Sequence, residues 1–193
     1  MAKNSGNILL NKFSGNLGDS VYLKNYGGRQ YMIRCPNREG HKKTEAEEAN
    51  QHRFKLAQMY GSQVTKNPEA KAFYTPYREG VMTEYLLAQA DKMISPVIKY
   101  IDSSDYCGLA GQQILIMATD NIKVTEVTCT IIGPTGVEIE KGNATPTVRD
   151  EEWSYIISND HKMEEGTMIV VNAFDRPGNK AEAMLIIESA PHE

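Results

Sequence analysis

The chain is poor in the features that announce a chemistry. It has three cysteines, Cys35, Cys107 and Cys129, an odd number without metal-like spacing. A disulfide framework or zinc cluster is therefore not expected, and the count fits a reducing compartment. Its four histidines, His41, His52, His161 and His192, form no ligand or triad pattern and read as solvated surface. No GxSxG, HExxH, Walker-type or GxGxxG sequence occurs. Cys107 is the best nominal nucleophile, but neither a base nor an orienting group accompanies it. The expectation is a non-enzymatic protein that uses no cofactor.

Long apolar runs are missing near the N-terminus too. The run Ile8-Leu9-Leu10 has only three residues, whereas a secretory signal needs a core of roughly 7–15 and a membrane span roughly 20. Cytoplasmic synthesis without a membrane span is expected, with an extracellular location if a signal has been removed.

What the chain does have is a charge split. Residues 1–95 carry 14 Lys/Arg against 9 Asp/Glu, a net of +5, and residues 96–193 carry 7 against 16, a net of −9. Residues 1–43 alone reach +6. Such asymmetry bears on partners rather than on fold.

The local patterns divide at the same place. Val21-Tyr-Leu-Lys-Asn-Tyr26 and Arg29-Gln-Tyr-Met-Ile-Arg34 flank Gly27-Gly28, a hairpin signal that pairs Tyr26 with Arg29, Lys24 with Tyr31 and Tyr22 with Ile33. That face mixes rings and cations. It suits a nucleic-acid or acidic-protein partner, or it is a ribbon packed on the helices that follow, with solvated Lys and Arg. Thr44-Glu-Ala-Glu47 is a capping box that opens a helix to about Tyr60, with Ala46, Ala49, Leu56, Ala57 and Tyr60 as its stripe and Gly61 as its stop. A second helix begins at Asn67-Pro68, and Pro76 stops or kinks it. A third runs from about Thr83 to Met93, with Met82, Tyr85, Leu86, Ala90 and Met93 on one side. From Pro96 the period becomes two, with seven strands expected near 97–102, 113–119, 124–132, 137–140, 152–158, 167–174 and 181–188. Trp153 is the expected large core residue between the sheets. The expected architecture is thus an α+β N-terminal module (residues 1–95, a basic arm, a hairpin and about three helices) followed by an all-β immunoglobulin-like sandwich (residues 96–193).

Ala118-Thr-Asp-Asn-Ile-Lys-Val124, Gly136 to Glu140-Lys-Gly142, Trp153-Ser-Tyr155, Gly166-Thr167 and Ala173-Phe-Asp-Arg-Pro-Gly-Asn179 together resemble bacterial immunoglobulin-like and fibronectin-like domains. The resemblance implies an adhesive, spacing or decorating module of the kind found on surface proteins and phage particles. Ser14-Gly-Asn-Leu-Gly18, Tyr31-Met-Ile-Arg34-Cys-Pro36, Thr44-Glu-Ala46 and Arg53-Phe54 resemble the start of uncharacterised Bacteroidetes-type proteins, which implies a grouping and no activity.

Two sites follow from these readings. Ile8, Leu9, Leu10 and Phe13, with Lys24, Tyr26, Arg29, Tyr31 and Arg34, are the interaction candidates. Asp120, Asn121, Asp175 and Asn179 form a possible site at one end of the sandwich. Their oxygens suit Ca²⁺, but Asp and Asn also serve local turns, and Arg176 beside them opposes a cation. No metal is therefore expected. The function expected is a structural or assembly protein of a phage-derived or filamentous assembly that displays its sandwich. A protein partner or head-to-tail self-association is expected, and nucleic acid is not. The alternatives are a secreted or surface glycan- or protein-binding module, and a nucleic-acid-binding protein acting through the basic front.

Overall fold

The computed structural model of the protein describes residues 2–4, 14–18, 20–26, 28–35, 40 and 42–188. Within them, three helices and three antiparallel four-stranded sheets are formed. No helix among these residues is long and apolar enough to cross a membrane.

The hairpin signal at Gly27-Gly28 is realised as Val21–Tyr26 (β3) against Arg29–Arg34 (β4), in the register that a two-residue turn dictates. Gly28 has φ +72°, which a side chain would resist. Two further strands, Ala2–Asn4 (β1) beside β4 and Gly15–Leu17 (β2) beside β3, widen the hairpin to the order β1-β4-β3-β2. Parts of the N-terminal arm thus gain structure by pairing with the hairpin's open edges, whose backbone groups otherwise need water or another chain.

Helix α1 (Glu45–Lys66) opens with the expected capping box: the Glu47 amide donates to Thr44 Oγ1 at 3.2 Å, and the Thr44 amide donates to Glu47 Oε2 at 2.8 Å. Gly61 does not end it. The helix continues for five residues because Gly61 is where it crosses the third helix, and a Cβ there would lie 3.0 Å from the Tyr85 ring. The expected stripe shifts accordingly. Ala57, Gly61 and Val64 are buried, while Ala46, Ala49 and Leu56 are exposed. Asn67 caps α2 (Pro68–Tyr74), and a 3₁₀ turn at Thr75–Tyr77 follows around Pro76. Thr83 caps α3 (Glu84–Met93), which buries Glu84, Leu87, Ala88 and Asp91 rather than the Tyr85, Leu86, Ala90 and Met93 side.

Pro96 opens the strand region. Val97–Asp102 (β5), Gln113–Thr119 (β6), Val124–Ile132 (β7), Glu138–Asn143 (β8), the short Thr145–Pro146 (β9), Glu152–Ile156 (β10), Met168–Asp175 (β11) and Lys180–Ile186 (β12) form two sheets, ordered β5-β6-β10-β9 and β12-β11-β7-β8. One buried cluster joins them into a β-sandwich, with Ile114 and Ile116 from the first sheet and Val127, Cys129, Ile131, Ile169 and Val171 from the second. Each such side chain contributes about 1.5–3 kcal/mol by leaving water. Cys129 is a core residue, as its place in the strand pattern suggests. Trp153 is not fully enclosed: it pairs with Ile116 on the inward face but sits only partly buried at the margin of the cluster. Tyr155 holds the deeper position instead. Its hydroxyl donates to Glu140 Oε1 at 2.6 Å, over the gap left by Gly142, where a Cβ would meet its ring at 3.0 Å.

Candidate functional site

Three of the four expected loop-end residues, Asp120, Asp175 and Asn179, meet an acid from the helices, Asp91. On α3 the positions 84, 87, 88 and 91 recur at the helical period, so Asp91 shares the buried face with Leu87 and Ala88. On β11 the alternation that buries Ile169, Val171 and Ala173 continues into Asp175, where a bulge shifts the register so that Asp175 faces Val124. Asp120 follows β6 two residues after the buried Ala118, on the same alternation. Each carboxylate therefore stands where the period of its own element calls for an inward residue. Their oxygens come within 4.8 Å of one another. At an effective dielectric of about 20, two such charges repel by roughly 3 kcal/mol or more.

The surrounding bonds are specific. Tyr74, wholly buried on α2, donates its hydroxyl to Asp91 Oδ2 at 2.6 Å, so Tyr60 Oη at 3.0 Å donates in turn to Tyr74. The Asn179 amide donates to Asp175 Oδ1 at 2.6 Å. Its side-chain Nδ2 reaches Asp175 Oδ2 at 2.6 Å, the Asp91 carbonyl at 2.9 Å and the Ile94 carbonyl at 3.2 Å. Asn179 thereby ties the β11–β12 turn to the end of α3. Lys92 adds a second tie, donating to the Pro177 carbonyl at 3.0 Å. Burial is the largest influence on Asp91; with the charges of Asp120 and Asp175 it outweighs the Tyr74 bond and pushes this carboxyl up to about 7. Burial likewise raises Asp175 above the ordinary carboxylate range, against the pull of its Asn179 bonds.

Arg176 corrects one expectation. Its guanidinium does not neutralise the acids; it lies over the Phe73 ring, 4.5 Å from the centroid. Lys92 is a cation whose charge bears on Asp175. Asn121 is exposed at the surface. A cleft of about 550 Å³ opens beside Asp120, lined by Tyr77, Ile122, Arg149, Glu151 and Trp153 among others. Glu151 on its rim has φ +67°, a left-handed conformation unusual for a residue with a side chain.

The hairpin candidates divide between two faces. Lys24, Tyr26, Arg29 and Tyr31 share the face that also bears Tyr22 and Ile33, with the Lys24 ammonium 5.5 Å from the Tyr26 ring centroid. Arg34 pairs with Val21 on the opposite face, because strand residues alternate. Ile8, Leu9, Leu10 and Phe13 lie outside the described residues. His161 is more than a solvated loop residue. Its Nδ1 donates to the Asn159 carbonyl at 3.0 Å, and its Nε2 lies 2.7 Å from Tyr106 Oη.

Asp91, Tyr74 and Lys92 are the site residues that sequence reasoning missed. The available signal was the helical period, which aligns Glu84 and Asp91 with Leu87 and Ala88.

No protein-family model matches the chain, and no curated protein matches it. Among solved structures, CopC from Methylosinus trichosporium OB3b is similar with a TM-score of 0.33 and 10% identity, over 46% of this chain and 87% of CopC. A likeness at that level carries no argument about function.

Proposed function

We propose that the protein is a non-enzymatic structural component of a phage-derived or filamentous assembly, in which the sandwich is displayed and the N-terminal sheet docks on an acidic protein surface. The observation that carries this reading is the open face of that sheet. Tyr22 and Tyr26 are 39% and 45% exposed there, beside the exposed Lys24 and Arg29. Rings with neighbouring cations suit an anionic protein patch, and the sandwich half of the same chain carries a net of −9. The favoured occupant is therefore the sandwich of a second copy, a head-to-tail contact of the kind that builds rings or filaments. An immunoglobulin-like reading of the sandwich is supported by its strand order: β5-β6-β10-β9 opposite β12-β11-β7-β8 corresponds to an ABED sheet facing a GFC sheet with one added strand.

Light scattering of the full chain over a wide concentration range tests the proposal. Self-association is expected at low salt, weakened at high salt and abolished by the double substitution Lys24→Glu with Arg29→Glu. A strict monomer under all conditions removes homo-assembly and leaves a foreign acidic protein as the target. A DNA affinity that falls steeply with salt would favour the nucleic-acid reading instead.

A further inference from the structure

The three aspartates at the meeting of α3 with the sandwich differ from an ordinary acidic cluster in what their oxygens lack. Asp91 is 1% exposed and Asp175 4%. Asp91 Oδ1 and both carboxylate oxygens of Asp120 are shielded from solvent and, among the described residues, have no hydrogen-bond partner. The remaining oxygens are satisfied, Asp91 Oδ2 by Tyr74 and both Asp175 oxygens by Asn179. Among the described residues, no cation makes an ion pair with these carboxylates. Lys92 is hydrogen-bonded to the Pro177 carbonyl and to Asn179 Oδ1, and Arg176 lies over Phe73. Buried acceptors without donors, gathered on like-charged groups, are costly unless a cation sits among them or Asp91 and Asp120 share a proton.

The donor set says what that would be. All three groups are carboxylates, with no nitrogen or sulfur ligand, which selects a hard cation. Oxygens that share one Ca²⁺ at about 2.3–2.6 Å lie within about 5 Å of each other, and these lie within 4.8 Å. The cleft lined by Asp120, Glu151 and Trp153 brings solvent up to the Asp120 side of the cluster. We propose that Asp91, Asp120 and Asp175 together bind one hard divalent cation, Ca²⁺ foremost, which fastens the helical module to the end of the sandwich. Tyr74 is a positioning residue that holds Asp91.

The test uses the full chain stripped with EDTA and dialysed near neutral pH. Calorimetric titration with CaCl₂ should give one cation per chain, and Ca²⁺ should raise the melting temperature. Asp120→Asn should abolish both responses, yet the cation-free variant should melt higher than cation-free wild type, because a like charge has gone. Tyr74→Phe should keep the stoichiometry and weaken the affinity about tenfold, as loss of a ligand's supporting bond does. Two results overturn the proposal. One is a stripped wild-type chain that takes up neither Ca²⁺, Mg²⁺ nor Mn²⁺ at millimolar concentration, which would leave the carboxyls holding protons instead. The other is a Ca²⁺ response that survives in both Asp120→Asn and Asp91→Asn, which would place the cation elsewhere. The wild-type titration decides even if a variant fails to fold.

Discussion

Inside the sandwich, the buried cluster runs from Tyr106 and Ile114 through Cys129 and Val171 to Ala173, fourteen of the described residues, most of them from facing sheets. Among the described residues, the helices bury Val64, Tyr74, Leu87 and Ala88 as a smaller cluster, and Ile122 from a sandwich loop packs against it. The difference shows in the polar groups. The sandwich keeps its tyrosine hydroxyls at the edge of the core, on Glu140 and His161. The helical module instead places Tyr74 and Asp91 at its centre and reaches across to Asn179 and Pro177 for partners. The unit with the smaller apolar cluster takes its last contacts from a neighbour, and does so with polar bonds whose geometry must be met.

The largest effect is expected from cutting between Ser95 and Pro96. The fragment 96–193 should keep a cooperative melt and a β-type circular dichroism spectrum, whereas the fragment 1–95 should lose its helical signal. Helices that persist in the shorter piece would break the comparison. Next in size, Ile169→Ala should cost about 2–5 kcal/mol in denaturant unfolding, since Ile169 is fully buried between the sheets. Leu56→Ala on the exposed side of α1 should stay within about 0.5 kcal/mol. Equal costs would mean that the exposed face of α1 is covered in solution.

Gly61→Ala sharpens the contrast within the helices. Helix propensity alone favours alanine by about 1 kcal/mol, but the new methyl would lie 3.0 Å from the Tyr85 carbonyl and ring. A lowered melting temperature is expected, and a raised one would show that the α1–α3 crossing relaxes easily. The smallest effect concerns pH. Burial pushes the Glu140 carboxyl up, but the Tyr155 hydroxyl and the Ser158 and Asn159 amides outweigh it and hold it below the usual range. A lowered folded value contributes stability that is present above the unfolded carboxylate pKa of about 4.3 and is lost as pH falls through the folded value. The melting-temperature gap between wild type and Glu140→Gln should therefore be widest near neutrality and close in acid. A gap that stays constant would mean that the bonds do not depend on the charge.

Local chemistry was legible wherever a residue acts through its near neighbours. Thr44 with Glu47, Pro68 after Asn67, Gly28 between the paired strands of the hairpin and the alternation from Gln113 to Thr119 each mark an element by short-range sterics and hydrogen bonding, and each is found in place. The meeting of Asp120 with Asp175 was also foreseeable, because loops from facing sheets share an end of a sandwich. Other features rest on contacts between residues far apart in the chain. Gly61 reads as a helix stop until Tyr85 packs across it, Trp153 reads as central until Tyr155 takes the deeper place, and Arg176 reads as a counter-ion until Phe73 draws it away. Asp91 is the plainest case. A charged residue on a short helix belongs in water by composition alone, and only the arrival of Tyr74, Asn179 and the end of β11 makes its buried position tenable.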